Sequence, residues 1–469
     1  MGYNNLYFSK FSHNYSRNGI VALFHSLKLK PLYIETDLFD SIKKVINSNE
    51  IYLSSDIMKQ SNGSKIIEAI DLLKENRVLN EVQGRDEDVI NYFKDNIGKP
   101  QIKIAYFILS ESCNLNCAYC FENAPPVSIK NESSSSKFMS KDIALKSIDF
   151  FERMLSLYPS LNEEKNIIFY GGEPLLNYNV LLFILEEIQN RKNKKNTLWN
   201  NVEPSIVTNG TLLSQKKISE LNSLGLSIGI SIDGPKDVTD ANRFNHKGES
   251  VFAEIMDGIN NCKKEKIDFS LSMTLSEKAV KQYDEVINFI KDIKPTSLGF
   301  NILLTNKDFS TYNGYNEDAA NFLIESFKIF RKDGLYEDRV MRKVKSFVDS
   351  EVYPFDCGAT GGSQLVFSPD GKIGICHGYL RERKFFPTNV DDMNFKPDTD
   401  PIFLEWTKRS PLHMQQCQYC EALGICGGGC PMNADKNYGS IWEIDDRFCI
   451  HAKKTFEWLI WDLYEKTIG

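Results

Sequence analysis

The sequence lacks the features of an exported, membrane-bound or nucleic-acid-binding protein. Its start, MGYNNLYFSKFSHNY, has no basic stretch followed by an apolar one, and no run of about 18 apolar residues occurs. The net charge of -7 comes from interspersed basic and acidic residues, without a basic patch suited to nucleic acid. We therefore expect a cytoplasmic protein that acts on small molecules or peptides and binds neither nucleic acid nor a membrane.

Cysteine, by contrast, is abundant and unevenly placed. The 469 residues include 11 cysteines, and the first 100 or so residues contain none. The cytosol keeps thiols reduced, so cysteines in such a protein are more often metal ligands or catalytic groups than disulfides. The remaining composition, 42% hydrophobic and 25% charged, is that of a globular chain with room for two or three domains.

Hydrophobic periodicity divides the chain into three regions. Residues 1–100 predict three short strands, near Leu6 to Ser9, Ile20 to Leu27 and Leu32 to Glu35, followed by three helices with apolar residues at helical spacing, which indicates a winged-helix-like module. In residues 101–335, strands alternate with helices, so parallel strands joined by crossovers are expected. Residues 336–469 show little periodicity and hold seven cysteines, which is typical of a domain that needs metal to fold.

The central region predicts an α/β fold, a partial (β/α)6 barrel of the TIM type. Its active site is expected at the carboxyl ends of the strands. The six predicted strands are Lys103 to Leu109, Asn166 to Tyr170, Ser205 to Val207, Ser227 to Ile232, Phe269 to Thr274 and Ser297 to Leu303.

The first cysteine cluster directly follows the first of these strands. Cys113, Cys117 and Cys120 lie in LSESCNLNCAYCFE. Three thiolates can hold three irons of a 4Fe-4S cube and leave the fourth iron open to a ligand that is not protein. A zinc site completed by a distant ligand is the alternative, but no fourth ligand lies nearby in the sequence.

This motif resembles the radical S-adenosylmethionine (SAM) superfamily. The resemblance implies that the cluster passes one electron, supplied by a donor such as flavodoxin or ferredoxin, into bound SAM. The resulting 5'-deoxyadenosyl radical takes a hydrogen atom from substrate. The resemblance also places a set of residues at the cofactor, with Glu173 at the amino group of SAM and Arg243 at its carboxylate. The set is Tyr119, Gly171, Gly172, Glu173, Thr208, Asn209, Ser231, Asp233 and Arg243. The alternatives are a plain turn at Gly171 to Pro174 and a surface ion pair for Arg243.

The second cysteine group resembles the SPASM domain, which carries auxiliary 4Fe-4S clusters in enzymes that modify peptides and proteins. The resemblance implies that one cluster is held by Cys417, Cys420, Cys426 and Cys449, and that the other, nearer the active site, is held by Cys357, Cys376 and Cys430. Three 4Fe-4S clusters are then expected in all. A paired zinc ribbon is the alternative, which seven cysteines fit poorly.

The nearer auxiliary set has one cysteine fewer than the full pattern of the family. Its fourth ligand is therefore open: a residue such as His377, or a thiolate of the substrate, or none in a purely structural or electron-relay site. The eleventh cysteine, Cys262, lies in a predicted helix and is expected to be a buried small apolar residue.

The N-terminal module is similar to the PqqD-like recognition domains of enzymes that mature ribosomally made peptides. The edge of its sheet can take up a leader peptide as an additional strand. Oligomerisation or simple capping are alternatives. Together these features predict a radical SAM maturase that acts on a precursor peptide and forms a thioether between a cysteine sulfur and a carbon. The rivals are an anaerobic sulfatase-maturing (formylglycine-generating) enzyme and a non-enzymatic zinc-binding scaffold.

Overall fold

The computed structural model describes residues 6–47, 57, 62–122, 137–159, 163–194, 197–305 and 310–467. Its centre is a mostly parallel sheet in which six strands lie side by side in chain order. These strands agree with the predicted positions to within a few residues. They are Ile104–Ser110, Lys165–Gly171, Val202–Thr208, Ser227–Ser231, Phe269–Leu275 and Ser297–Ile302.

Helices follow these strands as the alternating pattern predicts. Ser140 precedes the first of them, and its side chain accepts a hydrogen bond from the backbone amide of Ile143 and so caps the helix. The helices are Lys141–Leu157, Tyr178–Asn193, Gln215–Ser223, Lys236–Asp240, Phe252–Lys264, Glu277–Lys281 and Tyr283–Ile293. Cys262 is fully buried in the helix Phe252–Lys264, as expected of a small apolar residue.

The cysteine-rich C-terminal region extends the same sheet. Strand Gln364–Phe367 pairs in parallel with Ile104–Ser110, and the short strands Lys372–Gly374 and Thr388–Asn389 continue the sheet antiparallel. At the opposite edge, Tyr336–Glu337 pairs with Ser297–Ile302. The sequence did not predict that strand Gln364–Phe367 joins the core sheet, because this short, fully buried run, QLVF, carries no alternating pattern.

The C-terminal region also contributes helices. The longest, Asp446–Thr467, packs along helix Tyr315–Asp333. The others are Asp338–Asp349, Pro401–Lys408, Leu423–Cys426 and Pro431–Tyr438. None of the helices in the described ranges is long and apolar enough to cross a membrane.

The N-terminal region forms a three-stranded antiparallel sheet, but one strand differs from the prediction. The sheet consists of Ser12–Arg17, Ile20–His25 and Leu32–Glu35. The predicted strand near Leu6 to Ser9 is shorter, at Tyr7–Phe8, and pairs instead with Leu79–Asn80. Strand Ser12–Arg17 escaped prediction because its sequence, SHNYSR, is polar on both faces.

Two helices, Thr36–Asn47 and Gly63–Glu75, cover one face of this sheet. A third helix, Arg85–Asp95, packs in a separate cluster with Phe11, Leu27, Leu412 and Leu423. The other face of the sheet packs on the C-terminal region. The rings of Phe24 and Phe456 lie 5.0 Å apart, and the hydroxyl of Tyr33 donates to the carbonyl of Ile460 at 2.5 Å. Gly424 leaves no room for a side chain, since a Cβ there would lie 2.4 Å from the carbonyl oxygen of Ser26.

Candidate active site

The first cysteine cluster lies in a loop that is held by a distant segment. The backbone amides of Asn116 and Ala118 each donate at 2.8 Å, to the carbonyls of Phe244 and Asn242 respectively. The Nε2 atom of His246 lies 3.0 Å from the carbonyl oxygen of Cys113. Segment 242–246 therefore shapes the loop, and sequence reasoning identified only Arg243 within it.

The thiol groups of this loop suit an iron–sulfur cluster. Cys113 is buried, Cys117 and Cys120 are partly buried, and the backbone amide of Leu115 points at Cys113 Sγ at 3.4 Å. Such N–H···S contacts tune the potential of iron–sulfur centres. Burial raises the pKa of Cys117 to about 11, so metal binding there has to release protons.

Within the described residues, no three His, Cys, Asp or Glu side chains are placed to hold a single metal ion. A cube of four irons spreads its thiolates over separate corners, whereas zinc draws them around one centre. The iron–sulfur and zinc alternatives therefore differ in how far apart they hold the thiolates.

The glycine pair lies at the carboxyl end of the second core strand, beside the cysteine loop. Gly171 has φ +127°, and a Cβ there would lie 2.2 Å from the carbonyl oxygen of Ser110. The backbone amide of Gly172 donates to the same carbonyl at 2.8 Å. Only glycine allows this close approach of two strand ends.

Glu173 joins the ends of the second and third strands. Its carboxylate is fully buried and accepts hydrogen bonds from Thr208 Oγ1 at 2.7 Å, Asn209 N at 2.8 Å and Leu175 N at 3.0 Å. Burial raises its pKa, although these hydrogen bonds oppose that shift. Asn209 in turn donates to Asn114 Oδ1 at 2.9 Å, inside the cysteine loop. The side chain of Glu173 therefore holds the predicted cofactor residues together.

Asp233, Arg243 and Tyr119 form a buried group at the end of the fourth strand, which Ser231 terminates. Arg243 donates to Asp233 Oδ1 at 3.0 Å, and the hydroxyl of Tyr119 donates to Asp233 Oδ2 at 2.5 Å. Burial disfavours the charged form of the Arg243 guanidinium, but the charges of Asp233, Tyr119 and Cys117 and the hydrogen bond to Asp233 together raise its pKa. The pair is buried, so the surface ion pair considered for Arg243 is wrong.

The later cysteines fall into two groups. Cys417, Cys420, Cys426 and Cys449 line one cavity, whose other walls are largely apolar. Cys376 lies instead near Cys357 and Cys430: burial raises its pKa well above the ordinary value, and the charges of Cys430 and Cys357 add to the shift. This grouping matches the interleaved ligand sets that the SPASM resemblance implies.

His377, next to Cys376, occupies an aromatic pocket that sequence reasoning did not identify. Its ring centroid lies 4.8 Å from that of Tyr106, 4.9 Å from Tyr170 and 5.9 Å from Phe121. Among the described residues, its Nδ1 atom has no hydrogen-bond partner, and burial lowers its pKa to about 4. Phe121 follows Cys120 and Tyr170 precedes Gly171, so adjacency to the motifs was the available signal.

Glu122 lies beside the same pocket. Burial, together with the charge of Glu111, raises its pKa to about 8. Its negative charge contributes to the raised pKa values of both Tyr170 and Cys376, so its carboxylate lies near both side chains.

Comparisons with known proteins identify the central region. Residues 107–302 match the model of the Radical SAM superfamily. The radical SAM cyclopropyl synthase TigE of Paramaledivibacter caminithermalis is 25% identical over 365 residues, covering 74% of this chain and 72% of that protein. The cysteine-type anaerobic sulfatase-maturating enzyme of Clostridium perfringens is 26% identical over 370 residues, covering 76% of this chain and 96% of that enzyme.

Solved structures share the fold. The structure of native anSMEcpe with bound AdoMet superimposes with a TM-score of 0.63 at 24% identity, covering 77% of this chain and 98% of that one. Streptococcus suis SuiB bound to S-adenosylmethionine superimposes with a TM-score of 0.52 at 16% identity, covering 94% of this chain and 99% of that one. Residues 107–302 thus resemble the Radical SAM superfamily, and together with the relatives this likeness supports an enzyme that modifies peptides or proteins.

Proposed function

We propose that the protein matures a ribosomally made precursor peptide and joins a cysteine sulfur of that peptide to a carbon of another residue. The observation that carries the proposal is the position of His377. Its ring contacts Phe121 and Tyr170, which flank the first cysteine loop and the glycine pair, while its backbone neighbour is Cys376. One pocket thus borders both the proposed cofactor site and the nearer auxiliary set.

The residues present fit the proposed cofactors. Cys113, Cys117 and Cys120 would hold the first cluster, and the buried group around Asp233 and Glu173 would hold SAM. When bound, these groups supply the radical that removes a hydrogen atom from the substrate. The chain itself contributes orientation and the exclusion of water, for which the aromatic wall of Tyr106, Tyr170 and Phe121 is suited.

A thioether product is favoured by the open ligand position of the nearer set. Cys357 is exposed, and the next residues, Gly358 to Gly362, bring no further thiol. The Sγ atom of Cys357 contacts only a hydroxyl, that of Thr360 at 3.8 Å, among the hydrogen-bonding groups of the described chain. We propose that a cysteine thiolate of the substrate completes this set, which would place its sulfur at the aromatic pocket.

The relatives support a peptide or protein substrate. The sulfatase-maturating enzymes modify a protein, and SuiB has been solved with its precursor peptide SuiA. The SuiB fold spans 94% of this chain, whereas that of anSMEcpe spans 77%. The wider overlap favours a precursor peptide over a sulfatase as substrate.

The N-terminal module is proposed to bind the leader segment of that peptide. Its sheet has Ser12–Arg17 and Leu32–Glu35 as outer strands, with Ile20–His25 between them. An outer strand offers backbone donors and acceptors to an extended peptide, and such pairing gives affinity with little demand on sequence.

The test uses the anaerobically reconstituted enzyme, SAM, a reductant and a cysteine-containing peptide encoded beside the gene. We expect 5'-deoxyadenosine together with a peptide lighter by two hydrogens, and a much slower reaction when the leader is removed. The control peptide carries alanine in place of cysteine. Formation of 5'-deoxyadenosine with no change in peptide mass would contradict the proposal.

Two other products would identify the rivals. Loss of the cysteine sulfur with formation of an aldehyde would assign the sulfatase-maturating reaction. Loss of two hydrogens from the alanine control peptide would assign a carbon–carbon bond, as in the cyclopropyl product for which TigE is named. Mass spectrometry of the intact and digested peptide separates these outcomes.

A further inference from the structure

Arg409 is a buried cation that the reaction described above does not use. The residue is fully buried, yet every hydrogen bond that the structure gives its guanidinium goes to a backbone carbonyl. Nε donates to Ile441 at 2.7 Å and Nη2 to Glu443 at 2.9 Å. Nη1 donates to Gly428, and to Gly429 at 3.4 Å.

The two glycine carbonyls belong to the linker between the two auxiliary sets. Gly427, Gly428 and Gly429 all have left-handed φ values, of +73°, +82° and +70°, and they join Cys426 to Cys430. A Cβ on Gly428 would lie 2.8 Å from Arg409 Nη1. The guanidinium thus fills the space beside a linker that only glycine can form.

No carboxylate is hydrogen-bonded to Arg409 among the described residues. Burial lowers its pKa, and the charges of Cys430, Asp445, Cys357 and Cys426, in that order, act in the opposite direction. Asp445 is itself paired with Arg447, at 2.7 Å and 2.9 Å. A buried guanidinium without a dedicated carboxylate is costly unless other negative charge surrounds it.

Arg409 lies beside both cysteine sets. The carbonyls of Gly428 and Gly429, to which its guanidinium donates, lie between Cys426 and Cys430 in the chain. Cys426 belongs to the outer set, which is Cys417, Cys420, Cys426 and Cys449, and Cys430 belongs to the nearer set, which is Cys357, Cys376 and Cys430. A cluster that takes up one electron without a proton gains one negative charge, and a cation buried beside it stabilises that charge strongly because solvent does not screen it.

We propose that Arg409 is a shared counter-charge for both auxiliary clusters, which raises both reduction potentials and fixes the linker between the two ligand sets. The inference rests on the auxiliary clusters of the proposed function. Arg409 is a positioning residue, since it touches neither substrate nor SAM. Its function is to let both clusters accept an electron at a similar potential.

The experiment uses the full-length chain with Cys113, Cys117 and Cys120 replaced by alanine, so that only the auxiliary clusters contribute signals. Iron content should be about eight per chain, as two 4Fe-4S clusters require. Both clusters are titrated with dithionite and mediators and followed by electron paramagnetic resonance. We expect Arg409→Gln to lower both midpoint potentials. At a given solution potential, the ratio of reduced to oxidised cluster should fall at least tenfold, which corresponds to about 59 mV for one electron.

Two further variants separate charge from structure. Arg409→Lys retains the charge but not the fork of donors, so its midpoint potentials should stay near those of the parent protein. Lys453→Gln removes a partly exposed cation near Cys420 and Cys449 of the outer set only. This substitution should change the ratio of reduced to oxidised cluster less than threefold, and only for the outer cluster, because solvent screens the charge of Lys453.

The outcomes distinguish this inference from the proposed function. Eight irons with unchanged potentials in Arg409→Gln would overturn the role of Arg409 and leave the clusters assigned. If Arg409→Gln fails to hold iron, Arg409→Lys decides: parent-like potentials support the inference, and lowered ones overturn it. Far fewer than eight irons per chain in the triple-alanine protein that retains Arg409 would instead show that the auxiliary clusters are absent. That result would overturn the proposed function.

Discussion

Replacement of Asp233 by asparagine tests the buried group at the proposed SAM site. The carboxylate of Asp233 is fully buried and accepts hydrogen bonds from Arg243, Tyr119 and the backbone amide of Thr274. The side chain of Arg243 is only 8% exposed, and its Nε atom has no partner among the described residues. Asp233→Asn therefore leaves a buried cation without its counter-charge.

The expected loss of stability is large for a single substitution. Breaking a buried ion pair by removing one partner costs about 3–5 kcal/mol. At roughly 2–4 °C per kcal/mol for a unit the size of residues 107–302, the Tm should fall by about 6–20 °C. Segment 242–246 should also exchange its amide hydrogens faster, since Arg243 belongs to it and its pairing with Asp233 fixes the segment to which the cysteine loop is hydrogen-bonded.

The assay compares Asp233→Asn with Asp237→Asn by thermal unfolding, hydrogen exchange and equilibrium dialysis of SAM. Asp237 pairs with Lys278 at 3.1 Å, but its side chain is 54% exposed. Such a surface pair contributes about 0–1 kcal/mol, so the control should unfold and bind SAM nearly as the parent does. Equal Tm values and equal SAM affinity for the two variants would refute the argument that Asp233 is needed to hold Arg243.

Three further substitutions probe other parts of the structure. Gly171→Ala should abolish SAM binding in dialysis, because its Cβ would collide with the backbone at the end of the first core strand; normal binding would contradict this. Gly424→Ala should loosen the N-terminal sheet, since the added methyl would meet the carbonyl of Ser26, and limited proteolysis should then cut within residues 1–100 far faster than in the parent. Cys449→Ala should reduce iron from about twelve to about eight per chain, while Cys262→Ala should leave it at about twelve. Equal iron contents would show that cysteine spacing misidentified the ligands.

The sequence predicted the core sheet well because its signals are local. Strand Ile104–Ser110 and helix Lys141–Leu157 each carry an apolar pattern within one window of residues. The N-terminal hairpin could also have been predicted, because Asn18-Gly19 is a residue pair that two-residue hairpin turns prefer. Both residues adopt the left-handed φ values that such a turn requires. The polar composition of SHNYSR concealed the first strand of that hairpin.

Other features of the site depend on segments far apart in the chain. The cysteine loop rests on residues 242–246, and the aromatic pocket joins Tyr106, Phe121 and Tyr170 to His377. Nothing in the local pattern around His377 indicates these neighbours.

The spacing of the cysteines and the alternation of strands and helices were sufficient to predict the family resemblance and the α/β fold class, because ligand spacing and hydrophobic period are properties of short windows. The tertiary structure alone showed that Asp233 is committed to Arg243, that strand Gln364–Phe367 joins the cysteine-rich region to the core sheet, and that Arg409 lies buried between two cysteine sets. Burial and the pairing of charges depend on which distant segments the whole chain packs together, and no short stretch of sequence contains that information.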